Sequence, residues 1–152
     1  MIRLGCYILA AVVGLGACTP RYEMTAPEAF KRFDQRGGYK AITADGVMLK
    51  AREVKNYPEG DLPFWTDALQ RHLIARGYIQ KGKTECFKTQ KGLDGCTLVF
   101  LLPHGAEDWA FAQTVFVQGK RIVLVESAGP FDRFAKIEPA LATAMHSFDP
   151  GE

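Results

Sequence analysis

The most regular hydrophobic pattern in the chain lies between Asp61 and Gly77, where apolar residues recur at the spacing of an α-helix. Asp61 is a favourable N-cap, Pro63 fits the first helical turn, and Gly77 suits the position that follows a helix. The pattern predicts a helix over residues 62–76. Its apolar stripe requires a sheet to pack on, and consists of Leu62, Trp65, Leu69 and Leu73.

Four strand-like runs in the second half of the chain supply that sheet. Short connections that contain glycine separate them, which suits antiparallel neighbours and predicts a meander. Continuous apolar sequence at 99–102 and 122–125 predicts that two of the strands are central and covered on both faces. The four predicted strands cover residues 78–88, 96–103, 109–117 and 121–127.

A predicted hairpin precedes the helix. Residues 39–43 and 47–54 are strand-like, and Asp45-Gly46 between them supplies the positive φ that a tight turn requires. Together these elements predict the α+β class. We expect a single domain in which a largely antiparallel, twisted sheet is packed by two main helices.

Two further helices are predicted near the ends of the domain. Thr25 and Glu28 have the spacing of a capping box, which predicts a brief helix that ends at about Phe33. Because a proline inside a helix clashes with the preceding turn, Pro139 predicts that the last helix begins near Ile137. Its buried side would carry Leu141, Met145 and Phe148.

The first 17 residues have the organisation of an export signal. Arg3 is followed by an uncharged, mostly apolar run over Leu4–Val13, which is too short for a membrane-spanning helix. Leu15-Gly16-Ala17-Cys18 resembles the lipobox of bacterial lipoproteins. There are two alternatives. One is an ordinary secretory signal cleaved near Ala17, which would leave Cys18 a free thiol, and the other is a membrane-spanning anchor.

The lipobox resemblance implies that Cys18 is acylated, becomes the first residue of the mature protein and anchors it in a lipid membrane. Several acyl chains make such an anchor stable. Thr19 stands where the retention signal of the inner membrane would place an aspartate, so we expect the outer membrane, with the domain facing the periplasm. Residues 18–24 would form a tether and residues 25–149 the folded domain.

Charge excludes one class of partner. The whole chain has 19 Lys and Arg residues against 17 Asp and Glu, and Arg3 is the only charge in the signal. The mature protein is therefore close to neutral. Binding of nucleic acid is not expected, since it requires a clustered basic surface.

Two cysteines remain in the domain, Cys86 and Cys96. In an oxidising compartment an even pair is most simply a disulfide, and these two stand on opposite sides of a predicted hairpin. A metal site is the alternative, but two thiols fall short of the four ligands of structural zinc. We expect no metal.

Candidate catalytic residues are few. His72, His104 and His146 occur in no metal-binding or catalytic motif, and no nucleophile or phosphate-binding motif is present. Glu126 ends an otherwise apolar strand, so we expect it to be partly desolvated with a raised pKa. Glu126 and His104 are the only candidates, and no cofactor is expected.

Two aromatic residues are candidates for contact with a partner protein. Trp109 and Tyr57 lie at the edges of predicted elements, and tryptophan and tyrosine are enriched where proteins bind one another. If both are exposed, they could form a shared partner-binding surface.

A second resemblance covers most of the mature chain. In their order, its motifs are similar to those of a group of small bacterial envelope lipoproteins, and the element order is similar to the PsbP-like α+β fold. The motifs are Gly38-Tyr39-Lys40-Ala41, Asp45-Gly46-Val47, Asp61-Leu62 with Phe64-Trp65, Gly77-Tyr78, Val125-Glu126 with Ala128-Gly129, and Ser147-Phe148.

These observations favour a non-enzymatic binding or accessory module of the cell envelope that works with an envelope protein partner. PsbP-like domains as a group serve as assembly or binding partners, and the resemblance transfers no catalytic residue. The alternative is a small hydrolase or small-ligand carrier that uses a cleft near Glu126, Trp109 and His104.

Overall fold

A computed structural model describes residues 22–33 and 38–151. The predicted signal and Cys18 lie outside the described residues. The described residues form eight strands and two helices: β1 (Phe30–Arg32), β2 (Tyr39–Thr43), β3 (Met48–Lys55), α1 (Leu62–Ala75), β4 (Ile79–Gln80), β5 (Glu85–Lys88), β6 (Asp94–His104), β7 (Glu107–Gln118), β8 (Arg121–Pro130) and α2 (Phe131–His146).

All eight strands belong to one antiparallel sheet with the order β1-β2-β3-β8-β7-β6-β4, and β5 pairs with β6 beside β4. The predicted meander is present as β6, β7 and β8. The last of these pairs with β3 as well as with β7, so it lies inside the sheet. The α+β class and the single-domain architecture are confirmed.

Within residues 22–33 and 38–151, each face of the sheet carries one helix. Leu73 of α1 packs against a cluster that includes Leu98 and Leu124. On the opposite face, Phe134 and Met145 of α2 belong to the larger core cluster. Because β8 lies between both layers, Val123 and Leu124 are buried on opposite faces, as its continuous apolar sequence predicts.

The prediction of a brief helix near the N-terminus of the domain is wrong. The Phe30 amide donates to the Pro27 carbonyl in a turn, and the chain then forms strand β1 against β2. The Thr25 amide donates to the side-chain oxygen of Ser147. Strand pairing and the burial of Phe30 outweigh the local capping signal.

The domain also begins earlier than residue 25. Tyr22 is buried, and its ring stacks on Phe148 with 6.1 Å between the ring centroids. Glu23 forms a two-way backbone bridge with Asp149. Residues 22–24, predicted to belong to the tether, are therefore part of the fold.

The strand predicted over residues 78–88 is divided into β4 and β5. Gly82 between them has a φ of 73°, which interrupts an extended strand. Both short strands still pair with β6, since Gln80 is opposite Phe100 and Glu85 is opposite Thr97.

The last helix begins at Phe131 rather than near Ile137, and Pro139 lies inside it. A proline within a helix costs about 3 kcal/mol because it lacks one amide donor and crowds the preceding turn. The burial of Phe134 before it and of Leu141 and Met145 after it offsets this cost. Core packing therefore fixes the extent of α2.

No helix among the described residues has the length and apolar character needed to cross a membrane.

Candidate ligand-binding cavity

A cavity of about 480 Å³ lies between α2 and the sheet. Its walls are mostly apolar and come from both layers. The sheet contributes Leu49, Val99, Ala112 and Val125, and the helix contributes Phe134, Leu141, Ala142 and Met145. The volume is within the range typical of small-molecule sites.

Small side chains on three neighbouring strands create the space. Thr97 is opposite Thr114 across β6 and β7, and Ala112 is opposite Ser127 across β7 and β8. All four side chains line the cavity beneath α2. Phe134 and Met145 are buried and hold the helix against the sheet, so the short side chains leave a gap below it.

Hydroxyl groups lie on the floor of the cavity. The hydroxyl oxygens of Thr97 and Thr114 are 2.7 Å apart, and the Ser127 hydroxyl donates to the Met48 carbonyl at 2.9 Å. Within the threonine pair one hydroxyl donates to the other, which leaves one hydroxyl hydrogen for a further acceptor. The floor can therefore hydrogen-bond one polar atom of a ligand.

The rim of the cavity is polar and charged. Glu138 of α2 forms an ion pair with Lys81 at 2.6 Å. The His146 ring packs on Phe87 with 4.8 Å between centroids, and its Nδ1 lies 3.1 Å from the Lys88 carbonyl oxygen. An apolar interior with a charged rim suits an amphipathic molecule.

A disulfide fixes one side of the cavity. Cys86 of β5 is directly opposite Cys96 of β6, and the two are bonded, as the spacing of the cysteines predicts. Because β5 is only four residues long, the bond adds a covalent link to a short strand pairing. Cys86 also borders a more open groove of about 790 Å³ beside the first half of α1.

Glu126 lies on the other face of the sheet, where neighbouring strands surround it with polar side chains. Arg52 donates to its Oε1 from Nη2 at 2.9 Å and from Nε at 3.1 Å. Lys50 Nζ lies 3.0 Å from Oε2, and Gln113 Nε2 donates to Oε1 at 3.0 Å. The register explains the cluster, since Glu126 is opposite both Lys50 and Gln113.

The expectation of a raised pKa for Glu126 is wrong. Burial is the largest single influence and raises the pKa, but the hydrogen bonds and charges of Arg52 and Lys50 together outweigh it. The pKa of Glu126 is therefore below its ordinary value, and the side chain remains ionised at neutral pH. It lines neither of the cavities described above.

The proposed cleft of Glu126, Trp109 and His104 is not assembled. His104 and Trp109 do meet, with 5.7 Å between their ring centroids at the start of β7. Glu126 is opposite Gln113, four residues further along that strand, which corresponds to about 13 Å. The two aromatic rings and the carboxylate therefore form separate groups.

Trp109 and Tyr57 do not share a surface either. Tyr57 is 85% exposed in the loop after β3. The neighbouring Asn56 amide donates to the Lys120 carbonyl, which places this loop beside the β7–β8 turn. Trp109 is at the opposite end of β7 and is only partly exposed.

Sequence reasoning missed the cavity and the position of His146 at its rim. The available signal was weak. Small residues alternate along β6, β7 and β8, but only the register of the strands shows that these residues lie side by side on one face of the sheet. Among the residues that the structure describes, no group of three or more His, Cys, Asp or Glu side chains is arranged to hold a metal ion.

The fold is similar to those of several solved structures. LpqN, which is involved in cell envelope biogenesis of Mycobacterium tuberculosis, superposes with a TM-score of 0.66 at 11% identity, over 84% of this chain and 81% of LpqN. Cyanobacterial PsbP (CyanoP) from Synechocystis superposes with a TM-score of 0.53 at 12% identity, over 89% of this chain and 98% of CyanoP. The protein therefore has a PsbP-like fold.

No known protein-family pattern matches the sequence, and no curated protein matches it at a significant level.

Proposed function

We propose that this protein is a lipid-anchored accessory protein of the bacterial cell envelope that binds a small amphipathic molecule beneath α2 without transforming it. The cavity is the observation that carries the proposal. It combines an apolar interior, a hydroxyl pair on the floor and a charged rim, which are the features of a site for a molecule with one apolar and one polar end.

The cell envelope location draws on two independent features. The Leu15-Gly16-Ala17-Cys18 sequence resembles a lipobox, and LpqN, a protein of the same fold, is involved in cell envelope biogenesis. The outer membrane is the expected destination because Thr19 follows Cys18. A protein partner in the envelope would receive or supply the ligand.

A hydrolase that uses Glu126 is not favoured. Its carboxylate is held by Arg52, Lys50 and Gln113 on the sheet face opposite the cavity. In the cavity itself, the Ser127 hydroxyl donates to a backbone carbonyl rather than to a histidine. A nucleophile without a neighbouring base is not activated.

The binding proposal can be tested with a fluorescent fatty acid, 11-(dansylamino)undecanoic acid, added to the full chain in detergent, with the signal of the dye in the same detergent without protein subtracted. Ala142 lines the mouth of the cavity but is exposed, so Ala142→Trp should block the entrance without disturbing the core. Ala140→Trp is the matched control, since Ala140 is an exposed residue of the same helix outside the lining.

We expect saturable fluorescence enhancement with the unmodified chain and the control, and loss of at least tenfold in affinity with Ala142→Trp. Equal binding by all three proteins would overturn the cavity as the site. Release of a chromophore from the p-nitrophenyl ester of the same acid, faster with the unmodified chain than with Ala142→Trp, would contradict the non-enzymatic role.

A further inference from the structure

The N-terminal part of the chain enters the domain at one end of the sheet. The ring of Phe148, on which Tyr22 stacks, in turn stacks on Phe116 with 5.0 Å between centroids. Phe116 is two residues from the end of β7, next to the turn into β8. We call the end of the sheet that contains this turn the anchor end.

Cys18 can lie only a short distance from this end. Three residues separate Cys18 from Tyr22, and a fully extended chain of this length spans at most about 14 Å. Strand β7 alone contains 12 residues and is about 40 Å long. If Cys18 is acylated, the anchor end is therefore held close to the bilayer.

The anchor end carries side chains that suit a membrane surface. Asn56 donates from its backbone amide to the Lys120 carbonyl and from Nδ2 to the Gly119 carbonyl, each at 2.9 Å, which fixes the Tyr57 loop beside the β7–β8 turn. Tyr57 is almost fully exposed, and Lys55 and Lys120 are exposed nearby.

Tyrosine is enriched at the headgroup level of membranes, and lysine is attracted to anionic lipid. Glu59 is an exposed acid of the same loop, so the attraction depends on the two lysines outweighing it. At the opposite end, the β6–β7 hairpin carries the exposed acids Glu107 and Asp108. Arg133 lies 4.0 Å from Glu107 and offsets part of this charge, so Asp108 is the main acid that an anionic surface would repel. The two ends of the sheet therefore differ in their affinity for a membrane.

We propose that the anchor end docks on the membrane that holds the lipid anchor, with Tyr57 at the level of the headgroups and Lys55 and Lys120 against anionic phospholipid. The β6–β7 hairpin then points away from the bilayer. This orientation rests on the proposed acylation of Cys18. To the lipid anchor it adds a specific surface of the domain that contacts the membrane.

Photo-cross-linking of the full chain in intact cells tests this orientation. The photoreactive residue p-benzoyl-phenylalanine replaces Tyr57 in one protein and Ala106 in the other. Ala106 is an exposed residue in the turn of the β6–β7 hairpin. We expect phospholipid adducts at position 57 and not at position 106. Equal adduct yields at the two positions, or adducts at position 106 alone, would overturn the proposal.

The two lysines give a second readout. We expect Lys55→Glu and Lys120→Glu each to lower the adduct yield at position 57 by about fivefold or more, because each removes a basic residue at an anionic surface and adds an acidic one. Lys40→Glu is the control, since Lys40 is exposed on β2 away from the anchor end. An equal effect of all three substitutions would contradict a specific contact.

Mass spectrometry and membrane fractionation separate failure of the orientation from failure of the anchor. If Cys18 of the membrane-bound protein carries no acyl chain, the lipid anchor is wrong and with it the basis of the orientation. If Cys18→Ala releases the protein, but the unmodified anchored protein gives no lipid adduct at position 57, only the orientation is wrong.

Discussion

The hydroxyl oxygens of Thr97 and Thr114 lie 2.7 Å apart on adjacent strands, at the floor of a cavity whose walls are otherwise mostly apolar. Threonine and valine have nearly the same shape, so valine would fill these positions without a change in volume. The pair therefore places hydrogen-bonding capacity where packing alone does not require it.

The first prediction concerns this pair. Thr97→Val leaves the Thr114 hydroxyl, which is buried, without its partner, so we expect a loss of about 1 to 2 kcal/mol in the free energy of unfolding. The double variant Thr97→Val/Thr114→Val removes both hydroxyls and should recover most of that loss. Urea denaturation measures both values. A double variant that is less stable than either single variant would contradict the interpretation.

The second prediction concerns Glu126. Because its pKa is lower in the folded chain than the ordinary value of 4.5, the ionised carboxylate stabilises the fold at higher pH. This contribution is lost as the pH falls through the folded-state pKa. Glu126→Gln should therefore cost about 2 kcal/mol at pH 7 and progressively less towards pH 3, as followed by chemical denaturation.

Arg52→Gln is the companion variant, since it removes a main partner of that carboxylate. It should raise the pKa of Glu126, because less positive charge then opposes the effect of burial. The loss of stability on acidification should therefore begin at a higher pH. A Glu126→Gln effect of the same size at every pH would show that the carboxylate contributes through packing rather than through its charge.

The third prediction concerns the disulfide. Cys86 and Cys96 are ten residues apart, and a link across such a loop contributes about 2 to 3 kcal/mol in the chain-entropy model. We expect Cys86→Ser/Cys96→Ser to lower thermal stability and to weaken binding of the dansyl fatty acid, because β5 forms one side of the cavity. Calorimetry and fluorescence titration measure the two effects.

Thiol labelling provides the control for the third prediction. Neither Cys86 nor Cys96 should react in the denatured, unreduced protein, whereas both should react after reduction. Labelling of either cysteine before reduction would show that the bond is absent from the mature protein.

The fourth prediction concerns Cys18. Mass spectrometry of the mature protein should find Cys18 as its first residue, carrying acyl chains, and Cys18→Ala should release the chain from the membrane fraction. An unacylated mature protein that begins at Cys18 would support the alternative of an ordinary secretory signal.

The elements that were predicted well are those with a strong, regular pattern. The amphipathic stripe of α1, bounded by Asp61 and Gly77, and the apolar run at 122–125 each indicate one structure only. The cysteine pair was predictable for a different reason, because its two members stand on either side of a short connection between strands.

The predictions that were wrong share one physical cause: tertiary contacts outweigh the local sequence signals. Thr25 has the local sequence of a helix start, yet the burial of Phe30 favours a strand. Pro139 is unfavourable within a helix, yet Phe134 and Leu141 hold the helix together on either side. Glu126 is buried as expected, but its cationic partners are visible only when β3 and β8 are paired.

The cavity was not predictable because it depends on the registers of three strands and on the height of α2 above them. Thr97, Ala112 and Ser127 are unremarkable in sequence, and none has the spacing of a known motif. They become a site only because strand pairing places them on one face.

The most direct test of the account is native mass spectrometry of the protein purified from its own membranes in mild detergent. We predict that the unmodified chain and Ala140→Trp retain a bound small amphipathic molecule, and that Ala142→Trp does not. Ala142→Trp carrying the same molecule in the same proportion, or all three proteins without any bound molecule, would contradict a binding function for the cavity beneath α2.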